Sequence, residues 1–293
     1  MSMEKLGFRK RLEAAMGRAN SLVCVGLDPE PSQFPGHLSR DGDGILDFNA
    51  AIIEATTDLV CAYKPNLGFY AAYGEAGFRA LVATRRLIPP EIPVILDCKV
   101  GDIASTAAAY ARGYFDEWGF NAITVSPYLG EDSLAPFLAY PDRGVLVLCK
   151  TSNPGGGDFQ DLTNGSEPLY LTVAARAADW AARYPASVGL VVGATYPAQL
   201  AEVRARCPEL PILLPGVGAQ AGDIASAVDA GQDGAGKGLI VSASRSVMYA
   251  SGGRDFAAAA RNVTERLRDE VNAARNTVRL GAGSGPLYDR GAW

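Results

Sequence analysis

Eight short apolar runs, each followed by a segment with helical periodicity, constrain the fold of this chain more than any other feature. Apolar runs without polar alternation are typical of parallel strands that helices cover on both faces. Eight such repeats predict a single-domain α/β fold, a (β/α)8 TIM barrel. An open doubly wound sheet is the alternative, but the first run lacks the G-x-G-x-x-G turn typical of that fold. The runs span residues 22–28, 59–66, 94–100, 122–128, 144–152, 188–195, 211–218 and 238–244.

The chain has 293 residues, a length that fits one barrel, and 48% of them are hydrophobic. We expect residues 1–276 to form the barrel with an N-terminal helix, and residues 277–293 to form a glycine-rich tail. A long polar segment, residues 151–168, follows the fifth run. Because barrel active sites are built from the loops after the strands, this segment is either a mobile lid or a surface insertion, and the sequence leaves both interpretations open.

Charge and cysteine content argue against several classes of protein. The net charge of −5 does not fit a nucleic-acid-binding surface. No apolar run approaches the ~20 residues of a membrane helix, and the mixed charges of residues 1–20 do not resemble a signal peptide. The five cysteines form no C-x-x-C pair, so we expect free thiols in a cytoplasmic protein. His37 is the only histidine in the sequence, which excludes a metal site with several histidines from one chain.

The third run carries charges that a buried strand normally lacks. Strand side chains alternate between two faces, so the even-numbered residues of 94–100 form an apolar face, whereas Asp97 and Lys99 share the other. That second face points into the barrel near its carboxyl-terminal mouth. Buried charges carry a large desolvation cost unless they are paired. The two residues therefore form either a structural ion pair or part of a reactive site.

Neighbouring strands end in charges at the same mouth. Lys64 falls on an inward-facing position of the second run, and Asp28 ends the first. Together with Asp97 and Lys99, they are better explained by a polar ligand and catalysis than by stability. Asp102 caps the helix predicted to start near residue 103, takes part in the chemistry, or does both.

Glycine-bearing turns at the last two strands predict a phosphate site. The segment LPGVGAQAGD (214–223) contains Gly216, Gly218 and Gln220, and SASRSVMYA (242–250) contains Arg245. In (β/α)8 barrels, the loops after strands seven and eight commonly bind phosphate through backbone N–H groups. Arg245 could add a charge-assisted contact.

The segment LDCKVGDIAST (96–106) resembles the D-x-K-x-x-D-I-x-x-T signature of the orotidine 5′-phosphate decarboxylases. Lys64 in AYKPN matches the second-strand lysine of that family, and PGVGAQ and Arg245 match its phosphate-binding segments. KTSNPGGGDFQ resembles the fifth-strand loop of the longer bacterial form. The similarity extends along nearly the whole barrel, and the matching segments stand at the expected strand ends in the family's order.

The resemblance implies decarboxylation of orotidine 5′-monophosphate to UMP and CO2, the last step of UMP biosynthesis, with no metal and no organic cofactor. Lys99 would stabilise and then protonate the C6 carbanion. It also implies a homodimer whose active sites lie at the subunit interface. The implied catalytic residues are Lys99, Asp97, Lys64 and Asp102, and the implied substrate contacts are Asp28 (ribose), Ile103 and Thr106 (from the partner), Ser152 (pyrimidine), and Gly216, Gly218, Gln220 and Arg245 (phosphate). The resemblance gives no role to residues 154–168 or to the tail.

Two other functions compete with this interpretation. Sugar-phosphate decarboxylases and hexulose-phosphate synthases share the D-x-K-x-x-D segment but use Mg²⁺, which needs a second carboxylate at the second strand. Lys64 occupies that position and would repel the cation. A phosphate-binding regulator on a barrel scaffold would explain the glycine turns but not the charges.

Overall fold

The computed structural model of the chain describes residues 7–217 and 224–282, without the side chains of 276–282. Within these residues, eight parallel strands form one sheet in the order β2–β1–β8–β7–β6–β5–β4–β3. Parallel bridges from Tyr63 to Val94 and from Asn66 to Asp97 join β2 to β3 and close the barrel. The strands are β1 (Val23–Leu27), β2 (Ala62–Pro65), β3 (Ile95–Val100), β4 (Ala122–Val125), β5 (Gly144–Lys150), β6 (Ser187–Val192), β7 (Ile212–Pro215) and β8 (Leu239–Ala243).

Each predicted apolar run overlaps one of these strands, so the TIM barrel prediction is confirmed and the open sheet is not observed. The strands β1, β2, β4 and β8 are buried along their whole length. Burying one aliphatic side chain of this kind contributes about 1.5–3 kcal/mol. Apolar side chains on both faces of the strands therefore supply the core that holds the polar mouth in place.

Helices cover the outside of the barrel and follow the strands in sequence. The segment after α5 continues as a π-helical turn over Arg112–Glu117. The described helices are α1 (Phe8–Ala19), α2 (Gly42–Thr56), α3 (Leu67–Ala71), α4 (Gly74–Leu87), α5 (Ala104–Ala111), α6 (Glu131–Leu138), α7 (Gly157–Gln160), α8 (Leu169–Arg183), α9 (Pro197–Arg206), α10 (Ile224–Gly231), α11 (Arg245–Met248) and α12 (Phe256–Ala282).

The first helix packs at the amino-terminal end of the barrel. Phe8 is fully buried, and a Cβ on Gly144, the first residue of β5, would lie 2.4 Å from its ring. The Phe8 N–H also donates to the carbonyl of Asp142 at 3.1 Å, just before β5. With α1 at this end, the opposite, carboxyl-terminal end remains the mouth at which the charged residues meet.

The end of the chain departs from the predicted boundary. Helix α12 continues past residue 276 to Ala282, so the predicted start of the tail falls inside a helix. The segment 276–280, NTVRL, contains no glycine or proline to end the helix. Residues 283–293 lie outside the described residues. None of the described helices combines the length and the apolar character that crossing a membrane requires.

Candidate active site

A cavity of about 500 Å³ opens at the carboxyl-terminal mouth of the barrel. One wall carries Lys64, Asp97, Lys99 and Thr124, from β2, β3 and β4. Its volume lies within the range of small-molecule sites. The rest of the lining is mostly apolar or belongs to the segment after β5, and it includes Leu148, Val191, Leu213, Pro215, Ser152, Asn153 and Phe159.

Two ammonium groups flank one carboxylate on the charged wall. Lys64 Nζ lies 3.1 Å from Asp97 Oδ2, and Lys99 Nζ lies 2.6 Å from Asp97 Oδ1. The side chain of Lys64 is only 6% exposed, whereas that of Lys99 is 48% exposed. The structure therefore brings together three of the predicted catalytic residues. Lys99 is the one of these three whose charge faces the open cavity.

Burial and pairing act in opposite directions on these groups. Burial raises the pKa of Asp97, but the charges of Lys64 and Lys99 outweigh it and lower that pKa to about 2. For Lys64, burial lowers the pKa, and the carboxylates of Asp97 and Asp28 more than reverse this effect, so the pKa is raised above its usual value. Both groups are thus held in their charged forms around neutral pH.

The end of β3 is irregular, and this irregularity directs Lys99. Between Leu96 and Val100 the strand advances four residues, while β4 advances only two, from Ile123 to Val125. Lys99 has a φ of 47°, in the left-handed region that residues with side chains rarely adopt. The regular alternation expected through residue 99 is therefore wrong beyond Asp97. A turn, rather than a pleat, brings the lysine to the carboxylate.

Two further polar side chains, to which the sequence interpretation gave no role, donate hydrogen bonds to Asp97. Asn66 Nδ2 donates to Asp97 Oδ2 at 3.3 Å, and the Thr124 hydroxyl donates to Asp97 Oδ1 at 3.0 Å. With the two lysines, the carboxylate accepts four hydrogen bonds, which fills its capacity. Asn66 stands two residues after Lys64 in AYKPN and could have been found from that spacing. Thr124 lies in a plain apolar run, and only the pairing of β3 with β4 reveals it.

Asp28 lies at the end of β1 and is tied to both neighbouring strands. Its Oδ1 accepts the backbone N–H of Asn66 at 3.2 Å, and its Oδ2 accepts the hydroxyl proton of Ser244. The Tyr249 hydroxyl donates to the Asp28 carbonyl at 3.0 Å. The bonds from Asn66 and Ser244 fix the carboxylate at the mouth, beside the array, where its charge contributes to the raised pKa of Lys64.

Three predicted residues do not meet the array within one chain. Asp102 Oδ1 accepts the backbone N–H of Ile103 at 2.8 Å, and Ile103 is itself 55% exposed. Helix α5 begins at Ala104, with Ile103 at its N-cap position, so Asp102 is not the N-cap residue that its position suggested. Thr106 lines a different groove, along α5, with Tyr110.

Of the predicted phosphate-binding residues, two can be placed. Gly216 follows β7 with a φ of 95°, a backbone conformation that favours glycine. Arg245 begins α11, directly after β8, and is exposed. Gly218 and Gln220 lie outside the described residues.

The segment after β5 is folded against the barrel mouth. It contains a 3-10 turn (Pro154–Gly156), helix α7 and a hairpin that pairs Thr163–Asn164 with Glu167–Pro168. Lys150 Nζ, with a side chain only 3% exposed, lies 2.6 Å from Asp161 Oδ1. Gln160 Oε1 accepts the Thr151 N–H at 2.9 Å, and its Nε2 donates to Thr151 Oγ1 at 2.8 Å. The predicted long loop is thus folded, and its first part, residues 151–160, contributes to the wall of the cavity.

Ser152 is the predicted pyrimidine contact and lies on that wall. A Cβ on Gly193 would lie 2.8 Å from the Cβ of Ser152, so a glycine is needed where β6 leaves the barrel beside this residue. The Gly193 N–H donates to the Lys150 carbonyl at 2.8 Å. Among the described residues, no group of three or more His, Cys, Asp or Glu side chains is arranged to hold a metal ion.

Comparison with known proteins gives consistent matches. Residues 21–263 match the model of the "Orotidine 5′-phosphate decarboxylase / HUMPS family". The orotidine 5′-phosphate decarboxylase of Thermomicrobium roseum is 56% identical over 280 residues, which cover 95% of this chain and 99% of that protein. That of Roseiflexus castenholzii is 54% identical over 278 residues, covering 93% and 100%.

Solved structures agree with these sequence matches. The Leishmania donovani OMP decarboxylase superposes with a TM-score of 0.81 at 42% identity, over 92% of this chain and 99% of that one. The UMP synthase of the same organism gives a TM-score of 0.84 at 42% identity. The match covers 92% of this chain but only 57% of the synthase.

Proposed function

The chain belongs to the orotidine 5′-phosphate decarboxylase / HUMPS family, and from this membership and its charged wall we propose that it decarboxylates orotidine 5′-monophosphate to UMP and CO2. The observation that carries the proposal is the placement of Asp97 between the ammonium groups of Lys64 and Lys99 at the mouth of the barrel. This array offers a half-exposed, positively charged donor beside a cavity of about 500 Å³.

The reaction needs electrostatic stabilisation more than bond-forming chemistry. When the bond from C6 to the carboxylate breaks, its electron pair stays on C6 and CO2 leaves. A preorganised cation beside C6 stabilises that charge most effectively where water is excluded. Lys99 Nζ would occupy this position and then transfer a proton to C6, and the resulting neutral amine would regain a proton from solvent.

The other members of the array would keep Lys99 charged and oriented. Asp97, with its low pKa, supplies a permanent negative charge 2.6 Å from the Lys99 ammonium. Lys64 balances that carboxylate from the buried side.

We further propose which residues contact the rest of the substrate. Asp28 would contact the ribose and Ser152 the pyrimidine. The phosphate would be bound by Arg245 together with the segment that contains Gly216, Gly218 and Gln220. Binding the remote phosphate would contribute orientation at the reacting carbon.

The Mg²⁺-dependent sugar-phosphate enzymes that share the D-x-K-x-x-D segment are the alternative, and Lys64 argues against them. A buried ammonium 3.1 Å from Asp97 occupies the place where a second carboxylate would be needed to hold a divalent cation. The curated relatives cited above are both named as decarboxylases of orotidine 5′-phosphate. Decarboxylation that does not depend on added metal is therefore the proposed reaction.

We also propose a homodimer with shared active sites, in the cytoplasm. Asp102 does not reach the array of its own chain, and two bulky side chains that follow it are exposed, Ile103 at 55% and Tyr110 of α5 at 39%. A second chain seated on this surface would cover the apolar side chains and bring in the missing carboxylate. All five cysteines are free thiols, and four of them are buried, which fits a reducing compartment.

A direct assay tests the proposed reaction. The ultraviolet absorbance change of orotidine 5′-monophosphate should report its conversion to UMP at the same rate with and without EDTA. Loss of turnover in EDTA would favour a metal-dependent sugar-phosphate enzyme. Tight UMP binding without any decarboxylation would favour a nucleotide-binding regulator.

A further inference from the structure

The hydroxyl of Thr124 joins the Asp97 carboxylate to the turn that carries Lys99. Its Oγ1 donates to Asp97 Oδ1 at 3.0 Å and accepts the backbone N–H groups of Cys98 at 3.1 Å and Lys99 at 2.9 Å. A hydroxyl has one proton and two lone pairs, so these three bonds use its whole capacity. Thr124 is only 1% exposed, which leaves little room for water to take over these bonds.

The register of β3 and β4 explains why a hydroxyl is needed here. Between the paired residues Leu96 and Val100, β3 carries three residues, whereas Thr124 alone lies between the paired residues of β4. The pairing of β3 with β4 therefore provides too few backbone carbonyls to accept the N–H groups of both Cys98 and Lys99. A buried N–H without an acceptor is costly. The Thr124 side chain supplies that acceptor, and so it supports the left-handed backbone of Lys99, whose φ is 47°.

The same hydroxyl also contributes to the orientation of the carboxylate. Asp97 Oδ1 receives both the Thr124 proton and the Lys99 ammonium. The side chain of Lys99 is thus fixed twice, through its own backbone N–H and through the carboxylate that its ammonium contacts. Thr124 lines the cavity, but its hydroxyl retains no proton or lone pair for a ligand.

We propose that Thr124 is a positioning residue for the decarboxylation, because it holds the Lys99 turn and the Asp97 carboxylate in one fixed relation. The inference rests on the proposed function and adds a residue that the signature does not contain. Misplacing a reacting group by about 1 Å can reduce a rate by about 100-fold. The side chain acts through two charged neighbours and need not touch the substrate.

Substitution of Thr124 by Val removes the hydroxyl and keeps the volume. In the folded Thr124→Val variant we expect kcat for orotidine 5′-monophosphate to fall by about 30- to 100-fold, with KM changed by less than about threefold because the phosphate and ribose contacts remain. Thr124→Ser restores the hydroxyl and should keep kcat within about threefold of the parent chain. Thr264→Val is the matched control, because Thr264 is a fully buried threonine of α12 whose hydroxyl donates to the Ala260 carbonyl. Removal of the Thr264 hydroxyl should leave kcat unchanged.

The outcomes separate this inference from the proposed function. An active parent chain with a folded Thr124→Val variant of equal kcat would overturn the positioning role alone, as would a Ser variant as impaired as the Val variant. A parent chain without turnover would overturn both. If the Val variant does not fold, Thr124→Cys keeps the size with a weak donor and acceptor, and a kcat equal to that of the Ser variant would refute the role of the hydroxyl.

Discussion

The ammonium of Lys99 lies 2.6 Å from the carboxylate of Asp97, although the two residues are only two positions apart on β3. On a regular strand, side chains two positions apart stand roughly 6.5–7 Å from each other and extend in parallel. The left-handed backbone of Lys99 bends the chain so that the two groups meet. With Lys64 on the other carboxylate oxygen, the cluster carries two positive charges and one negative charge. This excess positive charge suits an anionic substrate and a transition state with negative charge on carbon.

Removal of the Lys99 ammonium should reduce turnover strongly and spare binding. In a Lys99→Ala variant we expect kcat to fall by about 100- to 10,000-fold, the range contributed by a positioned proton donor. UMP affinity should remain measurable, because the proposed phosphate contacts are elsewhere. Steady-state assays and calorimetry with UMP measure the two effects. Lys10→Ala is the control, because Lys10 is an exposed lysine of α1 at the opposite end of the barrel. Near-normal turnover in a folded Lys99→Ala variant would contradict the mechanism.

Asp97 should make the stability of the protein depend on pH in the acid range. The pKa of Asp97 is about 2 in the folded chain, below its usual 3.8, so the ionised carboxylate stabilises the fold above about pH 4, and this contribution is lost as the pH falls toward 2. The Asp97→Asn variant has an amide at this position, which does not titrate. The difference in unfolding free energy between the parent and this variant should therefore shrink by on the order of 2 kcal/mol from about pH 5 to about pH 2.

Urea unfolding at several pH values measures this difference directly. Other carboxylates titrate in both proteins, so their contributions largely cancel in the comparison. Asp47→Asn, at an exposed position of α2, serves as the control. A constant difference between the parent and Asp97→Asn over the whole range would show that the carboxylate is not stabilised by its two lysines.

The strand pattern was readable from the sequence because burial on both faces needs continuous apolar residues. The meeting of Lys64 with Asp97 was predictable for a different reason, because the carboxyl ends of parallel strands share one edge of the barrel. Thr124 was not predictable, because its role depends on how β3 and β4 slip past each other at one irregular point. The ion pair of Lys150 was not predictable either, because its partner Asp161 lies in a folded segment that the polar sequence predicted only as a loop.

The ion pair between Lys150 and Asp161 should support the cavity wall formed by the segment after β5. The Lys150 side chain is nearly buried, with its ammonium 5.8 Å from the Tyr170 ring centre and 5.2 Å from that of Tyr196. In Asp161→Asn this buried cation loses its carboxylate. We expect a loss of about 1–2 kcal/mol in stability, less than for a fully buried pair because half of Asp161 is exposed.

The same Asp161→Asn variant should raise KM by about three- to tenfold, an effect of up to about 1.4 kcal/mol on binding, because Ser152 and Phe159 lie on the loosened wall. Thermal unfolding and steady-state kinetics test the two parts. Asp158→Asn, an exposed aspartate of the same segment, should change neither quantity. Unchanged KM with reduced stability would limit the ion pair to a structural role.

Arg245 should contribute through remote binding and not through the proton transfer. Arg245→Ala removes a charged contact worth about 1.5–3 kcal/mol, so kcat/KM for orotidine 5′-monophosphate should fall by about 10- to 100-fold. The loss should shrink for a substrate that lacks the phosphate, because the contact is then absent from both proteins. Arg266→Ala, an exposed arginine of α12, is the control. An unchanged kcat/KM in Arg245→Ala would refute the phosphate assignment.

Asp102 should link activity to dimerisation. If Asp102 completes the array of the partner chain, Lys99→Ala and Asp102→Ala homodimers are each inactive, but a mixed dimer contains one site with both native residues. Random exchange of subunits places half of the chains in mixed dimers, so about a quarter of the native activity should return.

Differently tagged chains, mixed and purified through both tags, allow the mixed dimer to be assayed alone. A purified mixed dimer without activity would show that Asp102 does not act across the interface. A parent chain that is monomeric by sedimentation and fully active at the same concentration would exclude shared sites altogether.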